Sequence, residues 1–271
     1  MKAIWDLPFI QRALCNSVVA HCWQPLSPLY NAVLKHAVYR HGVRRDVGGG
    51  NRIRVCFENR RLRASDQYAR EIEWLLAAIS DGACVLDIGA NIGLMSIIFG
   101  RKVGGGGGAV FAFEPSPVPL ACLRQNIALN ELSTVIHAEP FAVSNHDGKL
   151  EFFTNEDGVD TQHCATRPPG TQIQKIIVDV VSVDSFYRKH RVTPTVLKID
   201  VEGYEPFVLE GARELIARVP EITVFLELHP WVWPDIGYDE QKLWKLIADL
   251  GLHVADRLDD SHVKLTKTRA G

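Results

Sequence analysis

The sequence lacks the features that mark membrane-spanning and nucleic-acid-binding proteins. Its 271 residues contain no apolar run of the roughly 18 residues that a membrane-crossing helix needs. Lysine and arginine do not cluster, and the formal net charge is −2, so nothing favours a polyanionic partner. The first residues also lack the basic and then apolar pattern of a signal peptide. We therefore expect a cytoplasmic protein with no transmembrane segment and no nucleic-acid partner.

Closely spaced cysteines are missing as well. The six cysteines are far apart in the sequence, and none belongs to a C-x-x-C motif. Zinc sites and disulfide frameworks usually depend on such spacing. We expect free thiols in a reducing compartment and no zinc site.

What the sequence does contain, from residue 83 onward, is an alternation of apolar strands and helices. CVLDIG, AVFAFE, TVIHAE, TVLKID and ITVFLELH are nearly continuous apolar runs, and helical patterns lie between most of them. Strands that are apolar on both faces are typical of a parallel sheet covered by helices on both sides. The sequence therefore predicts an α/β fold with a doubly wound, Rossmann-like sheet.

One stretch interrupts this alternation. GKLEFFT and QKIIVDVVSV predict two strands of an inserted hairpin, and the polar residues 155–172 between them predict a loop. Helices at 204–218 and 238–250 and two final strands, near 252–257 and 261–266, are expected to complete the fold.

The N-terminal part has a different pattern. Residues 8–22 and 27–41 have apolar spacing close to that of a helix. RIRVCFE and RLRAS then predict a β-hairpin that turns at Asn59. We therefore divide the chain into an N-terminal accessory region of helices and a hairpin, residues 1–65, and a main domain, residues 66–271. The N-terminal helices could pack on the main domain, cover the active site, form a homodimer or lie on a membrane surface.

A glycine loop and two acids predict the cofactor site. LDIGANIG stands at the first strand–helix junction, where doubly wound sheets bind their cofactors. A nicotinamide fingerprint would need glycine in place of Asn91; Gly89 and Gly93 instead form G-x-x-x-G. Asp87, beside this loop, would repel a diphosphate and attract the amine and sulfonium of S-adenosylmethionine. Glu114 ends the next strand, where an acid accepts hydrogen bonds from an adenosine ribose. Helix capping is the alternative role for these two acids.

These motifs resemble those of a known family. VLDIGANIG, FAFEPSP, QNIALN, AVS, VSVDSF and LKIDVEGYEPFVLEGA occur in the order found in the FkbM-type methyltransferases, over roughly residues 66–230. The resemblance implies a seven-stranded S-adenosylmethionine-dependent fold and methyl transfer to oxygen, often on sugars or polyketides. Residues 1–65 lie outside it, so the acceptor stays open. The resemblance implies cofactor contacts for Asp87, Gly89, Asn91, Gly93, Glu114, Ser116 and Ala142.

Three carboxylates follow the fourth strand of the predicted sheet. Asp200 ends this strand, Glu202 and Glu205 come shortly after it, and His229 ends the next strand. The carboxyl ends of neighbouring parallel strands open on one crevice, so we predict that Asp200 and His229 handle the proton of a hydroxyl acceptor. Glu202 is predicted to position the acceptor, and Glu205 to be mainly structural. Capping of the next helix is the alternative role for the acids.

Two further expectations follow from strand geometry. Side chains alternate along a strand, so, if the faces of the fourth and fifth strands match, Lys198 can pair with Glu227 and Asp200 can approach His229. A buried lysine needs such a partner. The three acids should not all reach one point, so we expect no obligatory metal. In HPWVWP, Trp231 and Trp233 could stack on a flat acceptor or sugar, or could pack in the core.

The sequence thus favours an S-adenosylmethionine-dependent O-methyltransferase that acts on a small-molecule or glycan hydroxyl. A nicotinamide-dependent oxidoreductase is one alternative, and Asn91 argues against it. A non-catalytic binding module is another, and the acids Asp200 and Glu202 together with His229 argue against that. Nothing in the sequence names the acceptor.

Overall fold

The computed structural model describes residues 31–62, 66–155 and 173–267. The predicted helix at 8–22 lies outside these residues, as does nearly all of the predicted loop at 155–172. No helix within the described residues is both long and apolar enough to cross a membrane.

An antiparallel hairpin near the N-terminus joins β1 (Val43–Asp46) to β2 (Arg52–Val55). Its turn runs through residues 48–50, three glycines with positive φ, a backbone conformation that glycine adopts without steric cost. The predicted turn at Asn59 is therefore wrong. The strand at Arg52–Val55 pairs with the chain before the glycines, and Phe57–Asn59 forms a short 3-10 helix.

The main domain follows with alternating elements. They are α1 (Asp66–Leu76), β3 (Cys84–Ile88), α2 (Leu94–Gly104), β4 (Ala109–Phe113), α3 (Pro117–Leu129), β5 (Ile136–Glu139), β6 (Ala142–Ser144), β7 (Gly148–Asn155), β8 (Ile173–Ser182), α4 (Val183–His190), β9 (Val196–Ile199), α5 (Glu205–Glu210), α6 (Arg213–Arg218), β10 (Thr223–Glu227), α7 (Glu240–Asp249), β11 (Leu252–Arg257) and β12 (His262–Lys267).

Seven of these strands form the central sheet, in the order β11-β12-β10-β9-β3-β4-β5. The five strands from β10 to β5 are parallel, and β12 and β11 continue the sheet antiparallel. The predicted α/β fold with a doubly wound sheet is confirmed. After β3 the chain adds β4 and β5 on one side of that strand, and it later adds β9 and β10 on the other side. The crevice between the two sides, where the strand order reverses, is the expected place for a ligand.

The inserted hairpin is larger than its sequence suggested. β7 and β8 pair antiparallel as predicted, and β6 adds a parallel third strand beside β8. Helix α4, which no sequence pattern predicted, follows directly. The single helix expected at 204–218 is divided into α5 and α6 at Gly211, where a Cβ would lie 2.1 Å from the carbonyl oxygen of Ser144. The point where α5 ends and α6 begins therefore packs directly on β6, a strand of the three-stranded sheet.

The hairpin at the N-terminus packs on the main domain. Its Ile53 and Val55 are buried in the same core as α1, α2 and α3. Asn126 of α3 accepts the backbone N–H of Cys56 at 2.7 Å, and Asn130 accepts that of Arg54 at 3.0 Å. Two side-chain amides of one helix thus hold the end of β2. The division at residue 65 and the homodimer stay predictions.

Candidate active site

The loop after β3 is shaped by close contacts at its glycines. Gly89 has φ +83°, and a Cβ there would lie 1.7 Å from the carbonyl oxygen of Asp200. Gly93 has φ +85°, and a Cβ there would lie 2.3 Å from Leu123. Both positions therefore require glycine. Between them Asn91 also has positive φ, at 50°, which asparagine tolerates better than most residues.

Glu114 connects this loop to the end of β4. Its side chain is buried, and its two carboxylate oxygens accept the backbone N–H groups of Asn91 at 2.9 Å and Ser116 at 2.8 Å. Burial raises the pKa of Glu114 to about 7, against the opposing effect of these two hydrogen bonds. A carboxylate oxygen has more than one acceptor site, so Glu114 can still bind the hydroxyls of a ligand. Ala142 lies close by, in a small pocket that Glu114 also lines.

Asp87 lies beneath the loop and is fully buried. Ser96 donates a hydrogen bond to one carboxylate oxygen, and the ammonium of Lys198 is 3.8 Å from the other, which accepts no hydrogen bond from the described residues. The ammonium of Lys198 already provides a positive charge near the carboxylate of Asp87. We therefore assign Asp87 a structural role beneath the loop. Its predicted contact with a ligand's amine stays a prediction.

The predicted pair of Lys198 and Glu227 is wrong. The strand register places Lys198 beside Asp87 on β3 and Phe225 on β10, two residues before Glu227. Lys198 instead lies 3.0 Å from Asp200 on its own strand. Burial alone would lower the pKa of Lys198, but Asp200 and Asp87 outweigh it and raise that pKa above its ordinary value.

Glu205, rather than Asp200, orients His229. The fully buried carboxylate of Glu205 accepts three hydrogen bonds: from Nδ1 of His229 at 2.8 Å, from Nε1 of Trp233 at 3.0 Å and from the backbone of Gly203 at 2.8 Å. Burial would lower the pKa of His229, but Glu205, with smaller effects of Asp200 and Glu202, raises it to about 9. His229 is therefore protonated at neutral pH.

Glu202 lies on the other side of this imidazole. Its Oε2 is 3.6 Å from Nε2 of His229, and its side chain is 33% exposed. Its backbone φ is +52°, a strained conformation for glutamate of the kind that concentrates at functional sites. Burial raises the pKa of Glu202 to about 7, and Asp200 and Glu227 add to this effect. The opposing charge of His229 does not offset these effects.

A cavity of about 520 Å³ opens above these residues. Gly89 and Asp200 line both this cavity and the small pocket beside Glu114, so the two spaces meet there. His229 does not line the cavity; it lies behind Glu202. Sequence reasoning missed part of the lining, which comes from the segment after β2 and from α1 and carries no recognisable motif. The lining residues are Glu58, Asn59, Arg61, Leu62, Tyr68, Gly89, Ala90, Asn91, Ile92, Leu94, Met95, Lys198, Asp200 and Glu202.

The carboxylates also approach one another closely enough to share a cation. One ligand atom each from Asp200, Glu227 and His229 lies within 4.8 Å of the others. The ammonium of Lys198, 3.0 Å from Asp200, would compete with a metal ion there. The expectation that no metal is obligatory stays a prediction.

Comparison with known proteins identifies relatives of this chain. It is 28% identical to the hexuronic acid methyltransferase AglP of Haloferax volcanii, over 67% of this chain and 68% of that protein. It is also 28% identical to the methyltransferase sdnD of Sordaria araneosa, over 51% of this chain and 64% of that protein. A crystal structure of methyltransferase FkbM from Methylobacillus flagellatus KT has a TM-score of 0.45 and 19% identity, over 69% of this chain and 44% of that one.

The family model of the methyltransferase FkbM domain matches residues 87–254, more than half of the chain. The match begins at Asp87 and includes the glycine loop, Glu114 and the acids after β9. It decides against the nicotinamide-dependent alternative, because a methyltransferase uses a methyl donor. The chain belongs to the family of methyltransferases defined by the FkbM domain.

Proposed function

We propose that this protein is an S-adenosylmethionine-dependent O-methyltransferase that acts on a sugar hydroxyl. One observation carries the proposal: the cofactor loop touches the acidic loop at Gly89 and Asp200, and both residues line the cavity that contains Glu202. A donor held at Glu114 and an acceptor held at Glu202 would therefore meet at this contact.

Several residues fit S-adenosylmethionine. In this proposal Glu114 accepts hydrogen bonds from both ribose hydroxyls, and the loop from Gly89 through Asn91 to Gly93, with its positive φ angles, allows the backbone to approach the cofactor. Ala142 lines the pocket beside Glu114, where an adenine would lie, and Ser116 donates its backbone N–H to Glu114. The pocket there holds about 50 Å³ as it stands, so side chains such as Phe152 must move before an adenine enters. When bound, the cofactor supplies an electrophilic methyl group on a sulfonium.

The acids explain how a cationic donor would be accommodated. Asp200 and Glu202 both line the cavity. Among the described residues, Lys198 is the basic side chain that forms an ion pair with Asp200. Carboxylates at a partly buried site attract a sulfonium and an amine. Glu114 and Asp200 lie on either side of Gly89, on the path that joins the two spaces.

Proton removal is assigned to Glu202, with Asp200 beside it. Glu202 lines the cavity and has a pKa of about 7, whereas His229 is buried behind it and protonated. This reverses two predicted roles: Glu202 acts as the base, and His229 is a positioning residue that holds Glu202. Such a base contributes roughly 10²–10⁴-fold to the rate.

A sugar acceptor is supported by two observations. The relative in Haloferax volcanii is named as a hexuronic acid methyltransferase. The cavity is lined by acceptor groups, Asp200 and Glu202, and by the donors Asn59 and Arg61, a mixture that matches the hydroxyls and carboxylate of a uronic acid.

The test is methyl transfer from labelled S-adenosylmethionine to glucuronic acid, to its methyl glycoside and to neutral sugars. Glu202→Gln should lower turnover by about 10²-fold or more and leave the affinity for S-adenosylhomocysteine nearly unchanged. In the wild type, kcat should rise with pH through about 7, because Glu202 must lose its proton to act as a base. His229→Ala should lower kcat less and shift this profile, because it removes the charge beside Glu202.

The proposal fails if no hydroxyl is methylated. The assignment of the base fails if Glu202→Gln turns over at the wild-type rate, or if it loses cofactor affinity in proportion to activity.

A further inference from the structure

The two tryptophans of HPWVWP have opposite environments. Trp233 is 1% exposed, and its Nε1 binds Glu205 in the core. Trp231, two residues earlier, is 70% exposed, the most exposed of the large hydrophobic side chains among the described residues. An exposed indole beside the candidate active site can serve as a binding surface, because it offers a flat apolar face.

Trp231 is held in a fixed position next to the site. Its ring meets the ring of His229 edge to face, with centroids 5.1 Å apart and planes at 78°. The following residue, Val232, packs so closely on Gly203 that a Cβ at Gly203 would lie 2.4 Å from it. The loop that carries Trp231 is thus fastened to the acidic loop that carries Glu202.

A groove of about 460 Å³ runs beside this indole. Trp244 forms part of its wall, and the guanidinium of Arg257 lies 5.2 Å from the centre of the Trp244 ring. The remaining lining combines the apolar side chains of Leu228, Pro230 and Trp233 with the polar side chains of Glu240, Asp259, Asp260 and Ser261. The volume is within the usual range for ligand sites, and the combination of flat apolar faces with polar edges is typical of such sites.

This chemistry fits a pyranose ring. The C–H face of a sugar can lie on an indole, while its hydroxyls donate to the carboxylates and accept from the guanidinium at the edges. A purely apolar partner would strip water from Asp260 and Glu240 without giving them hydrogen bonds, which is unfavourable. The occupant is therefore a sugar rather than a hydrophobic chain or helix.

We propose that Trp231 is the platform of a second sugar subsite, which holds a residue linked to the sugar that is methylated. Trp231 lines its own groove and not the cavity of Glu202, and the imidazole of His229 contacts both the indole of Trp231 and the carboxylate of Glu202. The methylated sugar occupies the cavity and its neighbour rests on Trp231. This inference rests on the proposed function, and it makes an oligosaccharide or glycan the better acceptor.

The test compares two acceptors, glucuronic acid and a tetrasaccharide that contains it, for the wild type and for Trp231→Ala. We expect Trp231→Ala to raise the KM for the tetrasaccharide about three- to tenfold, with kcat nearly unchanged, and to leave the monosaccharide unaffected. Trp231→Phe should recover most of the loss, because it keeps an aromatic face. Ile177→Ala is the matched control, since Ile177 is 58% exposed on β8 and outside the groove.

Equal effects on both acceptors, or no effect on either, would overturn the subsite. Binding of the same tetrasaccharide, followed by saturation-transfer NMR without turnover, separates this inference from the proposed function. If no sugar is methylated but Trp231→Ala still weakens tetrasaccharide binding about three- to tenfold, the proposed function fails and Trp231 stands as a sugar-binding platform. If the wild type binds no tetrasaccharide, the subsite is wrong.

Discussion

Replacement of Glu205 by glutamine tests the central hydrogen-bond network. Glu205 is fully buried and accepts hydrogen bonds from His229, Trp233 and Gly203. Glutamine keeps the shape and one acceptor oxygen but loses the negative charge opposite the His229 cation. Breaking a buried ion pair in this way costs about 3–5 kcal/mol.

The pH dependence of folding stability gives a second, independent value for the stability that Glu205→Gln should lose. The pKa of His229 rises from 6.5 to about 9 in the folded protein, chiefly through Glu205 acting against burial. A raised pKa contributes stability that is fully present below the unfolded value and is lost as pH rises through the folded value. This rise in the pKa of His229 corresponds to about 3 kcal/mol of folding stability. We therefore expect Glu205→Gln to be less stable than the wild type by about 3 kcal/mol at pH 6 and by about 1 kcal/mol at pH 9.5, where hydrogen bonding alone differs.

The assay is urea unfolding of both proteins at pH 6, 7.5 and 9.5. His262 also has a pKa of about 9, because Glu227 and Asp259 outweigh the effect of burial, but it is present in both proteins and cancels in their difference. Glu151→Gln is the control, since its ion pair with Lys175 is exposed and should contribute about 0–1 kcal/mol. A difference in stability that does not change with pH would refute the assignment of Glu205 as the source of the His229 charge.

Two further predictions concern the ligands. Glu114→Ala should weaken S-adenosylmethionine binding at least about tenfold in calorimetric titration, because hydrogen bonds from the ligand to a charged group are lost; an unchanged affinity in a folded variant would remove Glu114 from the ribose role. Treatment with EDTA should leave methyl transfer intact, because Lys198 already neutralises Asp200; activity that disappears with EDTA and returns with magnesium would place a metal at Asp200, Glu227 and His229.

Features that depend on a few neighbouring residues could be predicted from the sequence. The parallel strands are short, continuously apolar runs, and their order along the chain restricts the sheet to few topologies. Gly89 and Gly93 occur at the first strand–helix junction because the backbone there must approach Asp200 and Leu123 closely. Glu114 and Asp200 end their strands, and parallel strands bring their carboxyl ends to one edge.

Features that depend on which distant residues meet were decided by the tertiary structure. The strand register places Phe225, and not Glu227, beside Lys198. The fold carries Trp233 into the core onto Glu205 and leaves Trp231 at the surface, although the two residues stand in the same motif. The local sequence shows which ionisable side chains are present. The free energy of burying a charge, however, depends on which partners lie next to it in the folded protein. The protonated His229 and the near-neutral pKa of Glu202 therefore follow only from the folded arrangement.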